Sequence, residues 1–395
     1  LIPGLIDDQV HFREPGLTHK GEIYSESMAA VAGGVTSFME MPNTIPNAVT
    51  IDELEKKYLI GEKRSFANYS FYIGATNNNL DQVLKINKNK VCGVKIFMGS
   101  STGNMLVDNE KALRDVFKNC ETIITTHCED ENTIKENLKK SIEKYGENIP
   151  IDQHPIIRSR EACYKSSSKA IDLAKEYNSK LHVLHISTNE ELDLFDNKQN
   201  LKDKKITSEA CLHHLWFDER DYKSLGNLIK WNPAIKKADD KNAILEGLKN
   251  NTIDLIATDH APHTLEEKSS YYTSCPSGGP LIQHSLPLLL EMYHNNSLDL
   301  ETIVTKASHN PSILFEIKDR GFIREGYYAD LVLFDLNSPW KVSDSILYSK
   351  CNWTPFKKEA FKSKVIHTIV SGNHVFDNGI INKNLNSKRI EFERD

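Results

Sequence analysis

The sequence predicts an α/β protein: a (β/α)8, TIM-like barrel with a small β domain after it. Three observations predict it. Short apolar runs alternate eight times with amphipathic stretches of helical period. Polar residues able to bind metal recur at the ends of those runs. Near residue 318 the alternation gives way to turn-rich, β-rich sequence. A chain of 395 residues is long enough for one large barrel and a small domain.

The runs read as strands are 5–10, 36–41, 69–73, 92–97, 122–126, 180–185, 205–208 and 253–257. Between them lie amphipathic segments such as 20–32, 51–63, 109–117, 159–177 and 239–249. This defines a barrel over 1–318. The remainder, 319–395, reads as the small β domain, with two strands in 363–379 around the turn Ser371-Gly372-Asn373. The chain opens abruptly on Leu1 inside an apolar run, so residues are expected upstream of it.

Charged residues make up 26% of the chain and the net charge is −6, which does not suggest a nucleic-acid-binding surface. No run approaches the roughly 18 apolar residues of a membrane span. The seven cysteines are scattered without a CxxC pair, and no secretory signal is visible. Both features predict reduced thiols and a cytoplasmic setting.

Candidate chemistry gathers at strand ends, where barrels of this class build their sites. His11 follows the first strand, His127 ends "ITTH", His185 ends "LHVLH" and Asp259 ends "LIATD". A histidine at one strand end is more often structural, but convergence at several strand ends fits a hydrolytic metal site. His182 lies three residues before His185, and strand alternation places the two on opposite faces. His213 and His214 are read as structural. Lys95 sits inside the apolar run "CGVKIFMG". Burial would lower its pKa, and its neutral amine could take up carbon dioxide as a carbamate; alternatively it snorkels to the rim.

Taken together, "PGLIDDQVHFREPG", "MPNTIPN", "GVKIFMGSSTGNM", "THCED", "HVLHIST", "WNPAIK", "ATDHAPH" and "REGYYADLVLFD" resemble the dihydroorotases of the amidohydrolase superfamily. The resemblance implies a (β/α)8 TIM-like barrel with a small composite β domain at the chain ends, its N-terminal part expected upstream of Leu1. It also implies reversible cyclisation of N-carbamoyl-L-aspartate to L-dihydroorotate, a step of pyrimidine (UMP) biosynthesis. It implies a zinc centre of one or two ions per chain, and a homodimer. It makes His11 and Asp259 ligands of one cation, Asp259 also the general acid/base. His127 and His185 become ligands of the other, with Lys95 bridging as N6-carboxylysine. Arg13, Asn43 and His263 would hold the substrate carboxylate. Asn232 would be a further contact, and Ser277 and Gly278 would reach substrate through backbone groups of a loop over the site.

Gln9 stands where that pattern has the first histidine of an HxH pair. A neutral amide oxygen is a poorer zinc ligand than imidazole. Gln9 could fill the position weakly, leave a mononuclear centre, or mark a non-catalytic, dihydroorotase-like scaffold. The intact Arg13, Asn43, His263 and Asp259 favour an active enzyme. Allantoinases and dihydropyrimidinases or hydantoinases are the nearest enzymatic alternatives. Their substrates lack the ring carboxylate that Arg13 would recognise.

Overall fold

The apolar runs become strands buried on both faces, the environment of a parallel sheet wrapped by helices. The computed structural model describes residues 1–99 and 105–394. Residues 100–104, within the quoted segment "GVKIFMGSSTGNM", lie outside the described residues. After β1 (Ile2–Pro3) come β2 (Leu5–Val10), β3 (Val35–Glu40), β4 (Asn68–Phe71), β5 (Ile73–Gly74) and β6 (Val94–Phe97). β7 (Ile124–His127), β8 (Leu181–Val183), β9 (Ile206–Cys211) and β10 (Leu255–Ala257) follow.

Pairing is parallel from β2 through β3 to β4, and from β5 through β6, β7, β8 and β9 to β10. β4 and β5 form one stave interrupted at Tyr72. A parallel bridge between Val10 and His260 joins the first stave to the last. Asp7 reinforces that seam: Thr258 Oγ1 donates to its Oδ2 at 2.6 Å and Thr258 N to its Oδ1 at 3.2 Å. The result is the closed eight-stave barrel the alternation predicts.

Helices fall near the expected segments. Ile51–Arg64 begins at Thr50, whose side chain accepts from Glu53 N. Ser159 caps Arg160–Tyr177 in the same way through Ala162 N. One strand is shorter than expected. β8 ends at Val183 because His185 takes a left-handed backbone, φ 41°, which a strand cannot continue through.

The lower barrel is filled by Ile6, Met39, Tyr72, Leu184 and Leu255. Ile390 and Phe392, from the last residues of the chain, pack onto the same cluster.

The remaining strands are β11 (Leu331–Asp335), β12 (Trp340–Lys341), β13 (Ala360–Phe361), β14 (Lys364–Val370), β15 (Asn373–Asp377) and β16 (Ile380–Ile381). One sheet has the order β1-β11-β14-β15-β16, so residues from both ends of the chain share it. The turn between β14 and β15 is Ser371-Gly372, with φ of 48° and 83°. That two-residue, positive-φ geometry suits the twist of a tight hairpin. Among the described residues, no helix is long and apolar enough to cross a membrane.

Candidate active site

The C-terminal ends of the barrel strands open into one cavity of about 170 Å³. Gln9, His11 and Arg13 enter it from β2 and the turn beyond, and Asn43 from the segment after β3. Lys95, His127 and His185 enter from β6, β7 and the end of β8. Asn232, Asp259, His263, Ser277 and Gly278 complete its wall. The structure therefore brings together every site residue named from the sequence. Arg13, His185 and Asp259 all have left-handed backbones, with φ of 70°, 41° and 49°. Such conformations cost of order 1–3 kcal/mol each and persist where the surroundings impose them.

A buried charge supports the turn that carries Arg13. Glu40 ends β3; its Oε1 accepts from Phe12 N at 2.9 Å, fixing the turn between His11 and Arg13. Its Oε2 pairs with Lys57 Nζ at 2.9 Å, and Lys57 also donates to Met41 O, next to the Asn43 segment.

The imidazoles stand in two close pairings, His11 with Asp259 and His127 with His185. Burial holds His11, His127 and His185 below the usual histidine pKa, in the neutral form a cation needs. Asn43 Oδ1, an acceptor, lies 2.8 Å from His11 Nδ1, so Nδ1 donates. His11 Nε2 then turns its lone pair toward Asp259 Oδ1, 3.3 Å away. Two lone pairs so placed call for a proton or a cation between them. His127 Nε2 donates to Glu129 Oε2 at 2.8 Å, which leaves its Nδ1 bare and 2.9 Å from His185 Nε2. His185 Nδ1 is buried without a hydrogen-bond partner among the described residues. Burial lowers the Lys95 ammonium to about 8, against the opposing pull of Glu209 and Asp259, so a neutral amine is accessible. This donor set fits divalent cations of the zinc type.

Gln9 departs from that arrangement. Its Nε2 donates to Asp259 Oδ1 at 3.1 Å, and its Oε1 accepts from Cys211 Sγ at 3.6 Å.

The other side of the cavity is cationic and polar. Arg13 Nε donates to Pro262 O at 3.0 Å, and its Nη2 lies 3.0 Å from His263 Nε2. Burial beside Arg13 and Lys20 pushes His263 down to about 2, so it stays neutral and does not repel an anion's partner. Asn232 Oδ1 is buried without a partner among the described residues. The loop over the site is pinned by Lys268, whose Nζ donates to Gly278 O at 2.8 Å and Pro276 O at 3.0 Å.

Gly278 lines the cavity, with its N donating to Lys230 O and its O accepting from Lys268. Its φ is 123°, and a Cβ there would meet Ala261 O at 2.5 Å. One expectation needs correction. His182 does not face away from the barrel; it lies inside, against Asp8 and Glu209. The alternation rule fails because regular strand ends before His185 turns. His213 and His214 pack as structural residues: His213 stacks on Trp231, and His214 reaches Pro233 O at 3.1 Å.

Glu129 and Glu209 escaped the sequence reading. Glu129 orients His127 and is paired with Arg158. Burial alone would raise it, but Arg158 and His127 outweigh burial and hold it at about 2. Glu209 Oε1 accepts from His185 N at 3.1 Å. A glutamate two residues past a strand-end histidine was the one available signal.

Residues 1–375 match the model of the amidohydrolase family. The chain is 33% identical over 374 residues to a dihydroorotase of Methanosphaera stadtmanae, spanning 94% of this chain and 84% of that protein. It is equally similar, 33% over 386 residues, to a dihydroorotase of Pyrococcus horikoshii, spanning 97% and 82%. An L-hydantoinase (dihydropyrimidinase) from Arthrobacter aurescens superimposes with a TM-score of 0.91 at 25% identity, over 96% of this chain and 86% of the other.

Proposed function

The chain belongs to the amidohydrolase family, and from that premise we infer a dihydroorotase that interconverts N-carbamoyl-L-aspartate and L-dihydroorotate in pyrimidine synthesis. The observation that carries this reading is one cavity in which a buried guanidinium, Arg13, faces the cluster of His11, His127, His185, Lys95 and Asp259. A ring carboxylate is the group that a guanidinium in that place would recognise.

The family is typically metal-dependent, and the donors suit zinc. His127, His185 and Lys95 would hold one ion. His11, Lys95 and Asp259 would hold a second, more weakly because Gln9 replaces an imidazole. Lys95 would serve both as N6-carboxylysine. When bound, the ions supply Lewis acidity toward the amide carbonyl and toward water.

The chain's own groups do the rest. Arg13 pairs with the substrate carboxylate through its planar fork, with Asn43 and His263 beside it. Asn232 Oδ1 offers an acceptor to a substrate N–H, and Ser277 closes the wall opposite. Asp259 takes the proton of the attacking water and returns it to the leaving nitrogen; cyclisation runs the same transfers backward. Gln9 holds the Asp259 carboxylate in place by its amide. A homodimer in a cytoplasmic setting completes the proposal.

The hydantoinase likeness favours a second reading, a cyclic amidohydrolase of the dihydropyrimidinase or allantoinase type. A scaffold without turnover is the third. Steady-state assays of the zinc-supplemented protein with L-dihydroorotate, dihydrouracil, hydantoin and allantoin separate them. Turnover of dihydroorotate alone supports the first. Preference for an uncharged ring supports the second, and no turnover of any substrate supports the third.

A further inference from the structure

Below the cavity, three fully buried side chains meet inside the barrel: Asp8 from β2, His182 from β8 and Glu209 from β9. One ligand atom from each lies within 4.8 Å of the other two. We propose that these three residues bind a divalent transition cation, of which zinc fits best, at an interior site distinct from the one at the cavity mouth.

The hydrogen bonds around His182 set the nitrogen that faces the centre. Its Nδ1 lies 2.9 Å from Thr207 Oγ1, and that hydroxyl donates to Leu181 O. Nδ1 therefore donates, and Nε2 points inward. Fixing one imidazole nitrogen so that the other can ligate is the usual support of a metal-bound histidine.

Two of the three separations suit a tetrahedral ion, and the third lies within 4.8 Å. His182 Nε2 is 3.4 Å from Asp8 Oδ2 and 3.3 Å from Glu209 Oε2. Zinc with bonds of about 2.0–2.1 Å to nitrogen and oxygen sets neighbouring ligands about 3.3–3.4 Å apart.

Asp8 provides the independent observation. Both of its carboxylate oxygens are buried without a hydrogen bond among the described residues, Oδ2 lying 3.4 Å from His182 Nε2. A carboxylate in such a place is costly unless something pairs with it. A divalent ion between two carboxylates and a neutral imidazole leaves the group without net charge. A proton on His182 is the alternative filling. The cation would also serve the mouth indirectly, because Glu209 Oε1 accepts from His185 N and supports the turn that carries His185.

The test is anomalous diffraction at the zinc edge from crystals of the full chain equilibrated with zinc, paired with zinc counting on Asp8→Asn. The proposal expects a peak about 2.0–2.2 Å from His182 Nε2 and the loss of one zinc per chain in Asp8→Asn. A map with no interior peak at saturating zinc overturns it, whether or not the mouth is occupied. So does a folded Asp8→Asn protein with an undiminished count. If Asp8→Asn fails to fold, the wild-type map decides alone. Failure of the dihydroorotase reading would register separately, as missing peaks near His127 and His185 or missing turnover.

Discussion

Gln9 donates its side-chain amide to Asp259 Oδ1 at 3.1 Å, across the seam that closes the barrel. Where two histidines would grip a cation together with the aspartate, an amide grips the aspartate itself. The cost falls on metal affinity rather than on the placement of the carboxylate. Gln9→His is expected to tighten binding of the second zinc by about tenfold or more, the scale on which even supporting partners act. Zinc titration with a competing chelator measures it. An unchanged second affinity would show that Gln9 is not what weakens that position.

Arg13 is the residue we propose to select the substrate. Removing a hydrogen-bonded charge partner costs about 1.5–3 kcal/mol. Arg13→Ala should therefore raise the KM for dihydroorotate roughly tenfold to a hundredfold. Zinc content should stay the same. Arg13→Lys should recover only part of the loss, since a point charge does not reproduce the fork. A KM unmoved by Arg13→Ala would remove the argument from the ring carboxylate.

Much of this was legible in the sequence because strand-end residues announce themselves by position. His11, His127, His185 and Asp259 each close an apolar run, and parallel pairing alone gathers such ends. Gln9 was legible as a break in a spacing. The bond it makes was not, since Asp259 is 250 residues away and its direction depends on a left-handed backbone. The same geometry at His185 defeated the alternation rule and hid His182 inside the barrel. Glu129 and Glu209 were hidden for a different reason: a carboxylate that orients another residue has no sequence period of its own.

Glu129 gives the orientation claim a test. It fixes the proton of His127 on Nε2 and leaves Nδ1 free of a proton, the atom that would ligate a cation. Glu129→Gln should weaken zinc binding at His127 and His185 by about 10–100-fold. Isothermal titration, with circular dichroism as the folding control, reads the effect. Equal affinity in the variant would make Glu129 a partner of Arg158 only.

The loop over the site predicts a pH dependence. Burial, helped by Lys230 and Arg13, lowers Lys268 from the usual 10.5 to about 7. Between those values the unfolded chain binds a proton that the folded chain lacks, so stability rises with pH across that window. Relative to Lys268→Met, the wild type should gain stability from pH 7 to 9, on the order of 1 kcal/mol per pH unit. Urea unfolding at the two pH values measures it. A difference that shrinks or reverses would mean Lys268 stays charged in the fold.

The central claim is that Asp259 moves the proton in a ring-opening reaction on dihydroorotate. The most direct measurement is the steady-state rate of ring opening by the zinc-supplemented full chain and by Asp259→Asn, with zinc counted in both. The account predicts turnover by the wild type and a kcat roughly 10²–10⁴-fold lower in Asp259→Asn, the usual worth of a positioned acid/base. A wild-type protein that binds zinc yet leaves dihydroorotate intact, or an Asp259→Asn variant that turns over as fast, would contradict it.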